Sequence, residues 1–557
     1  MKDAVVDKYL GLYVLIAVTS VSLLVAPFGS LDPVNLPKLC LLVAVASVAA
    51  GLVLTKREFL RDKSYRTPLL VMGGFILQLF MVLLIDNHPM SFKFYGTPSR
   101  NTGFIAYLSL SFILLASIAS ARYFLIARYV WALIGVGSIL GFYGIAQSKG
   151  YDFYQFNNAY GSNVFSSFGN SNFHSAFMGI VASVALTLAV FSTQKTYFKI
   201  LLTSLVGLAI YNVSISSQQG YLNFLAGFTA ALIIYLFKKK HAVFGWSFLV
   251  LFGVGITSVL LGILDKGPLA EAIYKSSLQT RGFYWRAAAN MISHNPFFGV
   301  GMDGFGDWYR RSRTSEIAEL NAGIASDTAH NIPLDIGSGG GLPLMILYLA
   351  IIGLALYSII KVVKRKSEFD VLFSALVAAW FAYQAQSLIS INQLGLGVWG
   401  WSLTGLIIGY EINSRETSQV VNLQVGRKSK AIAEKISAGT LIITFLTTGI
   451  GLAIALPPYF AADKFYKALQ TGDADVIQPA AYLQPYDRSR FIFVAQILQE
   501  NKLEARAIKV LQDASAIYPD SFEIWNRWSS IPSANPTDIA RAKAEMKRLD
   551  PYNPDLK

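Results

Sequence analysis

LPKLCLLVAVASVAAGLVLT (36–55), KREFLRDKSYR (56–66) and TPLLVMGGFILQLFMVLLID (67–86) follow one another without a break, and this stretch decides the fold. Two apolar runs of twenty residues flank eleven residues that carry Lys56, Arg57, Arg61, Lys63 and Arg66. A helix needs about 20 mostly apolar residues to cross the hydrocarbon of a bilayer, so each run is long enough to span. The basic connector between them is of the kind found in cytoplasmic loops.

The same unit repeats outward along the chain. Apolar runs recur near 9–28, 36–55, 67–86, 103–121, 125–147, 174–191, 197–215, 218–237, 242–264, 342–361, 370–390, 394–412 and 437–456. They predict an all-α, polytopic membrane bundle of about thirteen spans. Alternate short loops add Arg122 and Arg128; Lys195 and Lys199; Lys238, Lys239 and Lys240; Lys361, Lys364, Arg365 and Lys366; and Arg415, Arg427, Lys428, Lys430 and Lys435. With the first connector these make 21 basic residues on one side, against Lys93, Arg100 and Lys149 on the other. The asymmetry predicts a cytoplasmic N-terminus and an extracytoplasmic C-terminus in a cytoplasmic (inner) membrane. Lys2 and Lys8 precede the first run without a small-residue cleavage site, which reads as an uncleaved span.

Composition agrees. Hydrophobic residues make up 54% of the 557 and charged ones 14%, with a mean hydropathy of +0.46. The net charge of +14 resides mainly in connectors between apolar runs, so nucleic acid is not expected as a partner whereas membrane lipid is. Cys40, the single cysteine, lies in an apolar run and can form no intrachain disulfide.

The expected domains are spans one to nine (1–264), an extracytoplasmic loop (265–341), spans ten to thirteen (342–456) and an extracytoplasmic tail (457–557). The tail resumes helical patterning in a polar setting, and Pro485, Pro519 and Pro551 punctuate it at separations of 34 and 32 residues. That period resembles a short tetratricopeptide array, a docking platform for a protein partner; an ordinary helical bundle is the alternative.

Polar motifs gather at the outer ends of the spans. Gly96 to Gly103 form a tight turn around Arg100, which breaks the charge asymmetry and suits an anionic partner, or else snorkels or pairs with a nearby acid. Asn170 and Asn172, in Phe168-Gly-Asn-Ser-Asn, suit a turn and a helix cap, and Gln218 and Gln219 could hydrogen-bond a sugar or cap the next helix. The large loop concentrates Arg281, Arg286, Arg310, Arg311 and Arg313 with His330 on the face that cations normally avoid. An amphipathic helix runs to about His294, and the glycines at 337 and 339–341 lack the Lys-Ser/Thr of a phosphate-binding loop and read as a hinge at a helix entry.

These residues resemble, in type and order, the O-antigen ligase and O-antigen polymerase superfamily of bacterial membrane glycosyltransferases. The resemblance spans roughly residues 70 to 410. It rests on the Gly96-x-x-x-Arg100-x-x-Gly103 turn, Phe168-Gly-Asn-x-Asn172, Arg281-x-x-x-Trp285, Asn295-Pro296-x-x-Gly299-x-Gly301 and Ala329-His330-Asn331. It implies transfer of a glycan from a polyprenyl diphosphate donor to a glycan, lipid or protein acceptor on the outer face, by ligation, polymerisation or protein glycosylation. It further implies that Arg281 holds the diphosphate and that His330 is essential. Where many members carry Ser-Arg after span seven, this chain has Ser217-Gln218-Gln219, so Arg100 or one of Arg310, Arg311 and Arg313 would have to supply the second cation.

The chemistry suits that assignment. A glycosyl diphosphate already contains its leaving group and needs cations, which guanidinium forks supply. The expectation is an inverting, metal-independent transferase without cofactor, since the five His are dispersed and Asp303, Asp307 and Asp327 suggest no chelating set. Asp327 could orient His330 or assist as base. A glycolipid transporter, which would place ionisable groups at the membrane midplane, and a bare anchor for the tail are the competing readings.

Overall fold

The computed structural model describes residues 3–26, 31–153, 164–268, 270–273, 276–320, 322–420 and 437–556. It is built from helices joined by turns, with no strand among the described residues. Each of the thirteen predicted runs coincides with a helix. Among the described residues nine are long and apolar enough to cross a membrane: Asn35–Thr55, Lys63–Ile85, Tyr123–Ser148, Ser171–Phe191, Thr196–Ser216, Gln219–Lys238, Ala242–Ile263, Ile332–Arg365 and Ala438–Gln470. The other four runs fall in Asp3–Leu23, Phe104–Ser120, Val371–Ser387 and Leu394–Val420. Lys2, Arg427, Lys428, Lys430 and Lys435 lie outside the described residues.

Backbone groups in a bilayer must be satisfied within the segment, and the helix starts show how these are. Asn170, Asn331, Asp370 and Ser437 each cap a helix by accepting an N–H from its first turn. A less common device closes Asp3–Leu23: the buried Lys38 ammonium donates to the carbonyls of Val21, Ser22 and Leu24 at 2.8, 2.7 and 2.8 Å. Three donors thereby meet three orphan carbonyls at one helix end.

The turn 86–103 meets the segment 264–331 through Thr97 and Asp303, the start of Gln219–Lys238 meets it through Leu222 and Trp285, and the tail through Asp550 and Arg313, so these parts gather at one end of the bundle. The glycine-rich stretch is indeed where a helix entry bends. Ile332–Arg365 breaks at Gly341, whose φ of 77° and ψ of 175° exclude other residues. Its backbone lies against the preceding turn, with Val300 N donating to Ser338 O (2.8 Å) and Leu342 N to Pro296 O (2.7 Å). The short stretch 332–340 therefore belongs with the loop, and the helix beyond it with the bundle.

The tail continues from the long Ala438–Gln470 helix into Ala474–Ala480, Arg488–Glu500, Glu504–Ile517, Phe522–Ser529 and Pro536–Leu549. Helices starting at Arg488 and Phe522 lie 34 residues apart, and each packs on the helix that follows it. Its own core includes Phe491, Leu498, Leu511, Trp525 and Trp528, and Phe92 of the bundle end inserts into it.

Candidate active site

The site assembles from three separate segments. The first is the 96–103 turn, held by a carboxylate 200 residues away. Asp303 Oδ2 accepts the N–H groups of Thr97 (2.8 Å) and Thr102 (3.0 Å), and Oδ1 accepts the Thr102 hydroxyl. Burial raises the Asp303 carboxyl above its ordinary range, with these donors working against it. Gly96, at φ 91°, is required here because a Cβ would sit 2.3 Å from Asp303 Oδ2. The turn presents Arg100, whose Nε and Nη2 grip Asp327 at 2.6 and 3.1 Å. Of the two sequence alternatives, a pair with an acid is thus the one observed.

The second segment is Ala329-His330-Asn331. Asn331 caps Ile332–Arg365 and donates to Leu388 O at 2.9 Å, fixing the loop from both sides. His330 Nδ1 lies 2.8 Å from Thr328 Oγ1, which leaves Nε2 without a protein partner among the described residues. Burial pushes the ring's pKa down to about 3, with the charges of Arg281 and Arg100 adding to the effect and Asp327 opposing it. The imidazole is therefore neutral at physiological pH. Burial works to raise Asp327, but Arg100 outweighs it and holds the carboxyl below its usual range, as an anion committed to an arginine.

The third segment is the helix Ser276–His294, matching the amphipathic helix expected to end near His294. Tyr284 places its ring 5.3 Å from that of His330, and Arg281 stands one turn earlier on the same face. Burial lowers the pKa of the Arg281 guanidinium. Among the described residues neither Arg281 nor Arg286 makes an ion pair or hydrogen bond. Backbone strain gathers in the same neighbourhood: Ser99, Asn101, Asp303 and His330 adopt φ of 70°, 57°, 63° and 52°. Left-handed non-glycine residues cost energy and tend to cluster at functional sites.

The structure so brings His330, Arg281 and Arg100 together, and it corrects the reading of the other three loop arginines. Arg313 is 1% exposed and forks onto Asp550 of the tail at 2.7 and 2.8 Å, leaving no surface for a substrate. Arg310 reaches the same carboxylate at 3.2 Å and covers the Phe522 ring; Arg311 pairs with Asp520 at 3.3 Å and lies over Trp308. These three fasten the tail to the loop. Arg100 is the one of the four proposed substitutes that stands beside His330.

The remaining polar motifs meet each other. Asn170 caps its helix, accepting from Asn172 N, while Asn172 Oδ1 accepts the Ser217 hydroxyl at 2.6 Å. Gln218 is exposed, whereas Gln219 is buried with both amide atoms lacking partners. Leu222, one turn on, packs with Trp285 and Ile389, which ties this corner to the Arg281 helix. Sequence reasoning missed Asp303, Asp520 and Asp550 as organisers, and Lys38 as well. A lone lysine entering an apolar run was the one visible signal.

Comparison with known proteins finds that residues 204–349 match the profile of a family described as O-antigen ligase. The matched stretch contains Arg281, Arg286 and His330 and stops just past the Gly341 break; Arg100, Asn170 and Asn172 lie outside it. No curated protein matches the chain.

Proposed function

We propose, from the match of residues 204–349 to the O-antigen ligase family, a polyprenyl-diphosphate-dependent glycosyltransferase acting at the loop-bearing end of the bundle. That end is extracytoplasmic in this reading, as the 21-to-3 distribution of basic residues argues. The supporting observation is a neutral His330, set beside Arg281 and the turn that carries Arg100, with neither Nε2 nor Arg281 paired among the described residues.

His330 Nε2 accepts the proton of the acceptor hydroxyl or amine as the new bond forms at the anomeric carbon. The bond from that carbon to phosphate breaks with inversion, and polyprenyl diphosphate departs with the electron pair. Arg281 takes up the developing charge, a donor of a kind typically worth about 3–4 kcal/mol, while Arg100, held on Asp327, acts through its field. Two arginines depress the basicity of His330 in the free protein, and an arriving diphosphate offsets their field, so donor binding itself readies the base.

A place for the lipid supports the same reading. An open apolar groove runs between Gln219–Lys238, Ala242–Ile263 and Val371–Ser387, lined by Leu222, Phe252, Val259, Leu388 and Ile389 among others. Leu388 is the residue whose carbonyl holds Asn331, so a polyprenyl chain lying here would deliver its diphosphate to the His330 loop.

The test is transfer from a lipid-linked oligosaccharide by the full-length protein in detergent, with products resolved on a gel. His330→Ala is expected to lower transfer by about 10²–10⁴-fold and Arg281→Ala by about 10²–10³-fold at normal expression. Undiminished transfer by either variant overturns the assignment. One shifted band identifies a ligase and a ladder identifies a polymerase.

A further inference from the structure

An open cavity lies in the seam between the tail and the loop-bearing end of the bundle. Tyr95 stands on the bundle side, and Tyr486 and Phe493 come from the tail, giving the cavity several aromatic faces. Two of its buried lining residues, one from the turn and one from the tail, each carry a polar atom without a partner among the described residues. Asn101, 6% exposed, has no partner for Oδ1 among the described residues. Arg490, also 6% exposed, turns Nη2 to the Pro485 carbonyl and Nε to Asp487 at 3.8 Å, with no partner for Nη1 among the described residues. Buried donors and acceptors are nearly always paired, so two orphans lining one cavity point to a ligand that pairs them.

The mixture selects its class. A lipid chain would need neither the amide nor the guanidinium, and an anion would meet the carboxylates of Asp32 and Asp487 in the same wall. A pyranose offers what this lining asks for: apolar C–H faces to lie on aromatic rings, and hydroxyls that both donate and accept. The cavity also shares a wall with the active site. Gly96, Ser99 and Asn101 of the Arg100 turn face it, while Arg100 and Thr102 face the opposite cavity, lined by Asp303 and Asp327.

We propose that this seam is a saccharide subsite, roofed by the tail, which seats a sugar of the donor glycan or of a glycan-bearing acceptor. It rests on the transferase reading and adds to it a role for the tail in substrate recognition. Either the acceptor or the distal part of the donor can supply the sugar.

Binding to full-length protein in detergent is measured by calorimetry with two probes: oligosaccharide released by mild acid from the cells' lipid-linked pool, and oligosaccharide released from the finished envelope glycan. At least one probe is expected to bind, and Arg490→Gln and Phe493→Ala each to weaken it by about tenfold. His330→Ala should bind as the unaltered protein does. A melting curve accompanies each variant; should Arg490→Gln fail to fold, the exposed Phe493→Ala decides. In the transfer assay these variants raise KM for acceptor or for donor, according to the source of the sugar, with kcat retained. Absence of binding by both probes, or variants that bind normally, overturns the subsite while leaving the role of His330 intact. Absence of transfer by the unaltered protein would instead remove the transferase reading and leave the binding result standing.

Discussion

At the scale of single residues, the unusual group is an imidazole held neutral. A free histidine titrates near 6.5, whereas burial and two arginines bring His330 to about 3. In the folded protein the ring stays unprotonated down to that lower value, while in the unfolded chain it takes up a proton near the higher one. Stability from this residue therefore falls as pH drops through the window between them. The kcat/KM profile reports groups of the free enzyme. It should show no His330 limb near pH 6.5 and remain level from pH 7 to about 5 so far as this residue is concerned. A limb near 6.5 that disappears in His330→Gln would contradict the arrangement. The loop that carries His330 and Arg281 was legible in the sequence because its arginines violate the charge rule for membranes, while the roles expected of the two residues came from the family resemblance. Asp303 was not, since a carboxylate reveals its partners only when the turn at 96–103 is folded against it.

At the scale of elements, the Gly341 break separates a stretch that belongs to the loop from a helix that belongs to the bundle. A Cβ at this position would lie 2.5 Å from the Phe297 carbonyl carbon, in a backbone region that side chains avoid. Gly341→Ala is expected to cost about 1–3 kcal/mol, read as a lower melting temperature in detergent, and to displace the His330 loop. Transfer should fall with it; an unchanged melting temperature and rate would show that the break is not needed. All thirteen apolar runs were readable as helices, because hydropathy and length are local properties and the bilayer leaves few backbone alternatives. The loop was readable only as far as its helix to His294. Its remaining shape depends on backbone contacts such as Val300 with Ser338, which no periodicity announces.

At the scale of the whole molecule, the tail is fastened to the loop by charges distant in sequence. Asp550 meets Arg313 across 237 residues, with both side chains fully buried. Removing one partner of such a pair leaves an uncompensated buried charge. Asp550→Asn should loosen docking by about 3–5 kcal/mol, seen as faster proteolytic release of the tail and, through the seam, weaker saccharide binding. Unchanged proteolysis would show that the contact is dispensable. Orientation has its own test: with Cys40 replaced, a membrane-impermeant maleimide should label a cysteine introduced at Ser315 in intact cells but not one at Lys239. The reverse pattern would place the loop in the cytoplasm and end the proposed function. The sequence suggested a repeat-like tail from its proline spacing, and even singled out the arginines that bind it, but assigned them to a substrate. Pairing across such a span is invisible until the chain is folded.

One consequence concerns descent. Because Arg310, Arg311 and Arg313 answer to Asp520 and Asp550, neither set can drift alone. A charge lost on one side exposes its counterpart to selection, so loop and tail should be inherited as a matched couple. Chimeras that exchange the tail between relatives should fold well when the 310–313 stretch travels with it, and poorly when it does not.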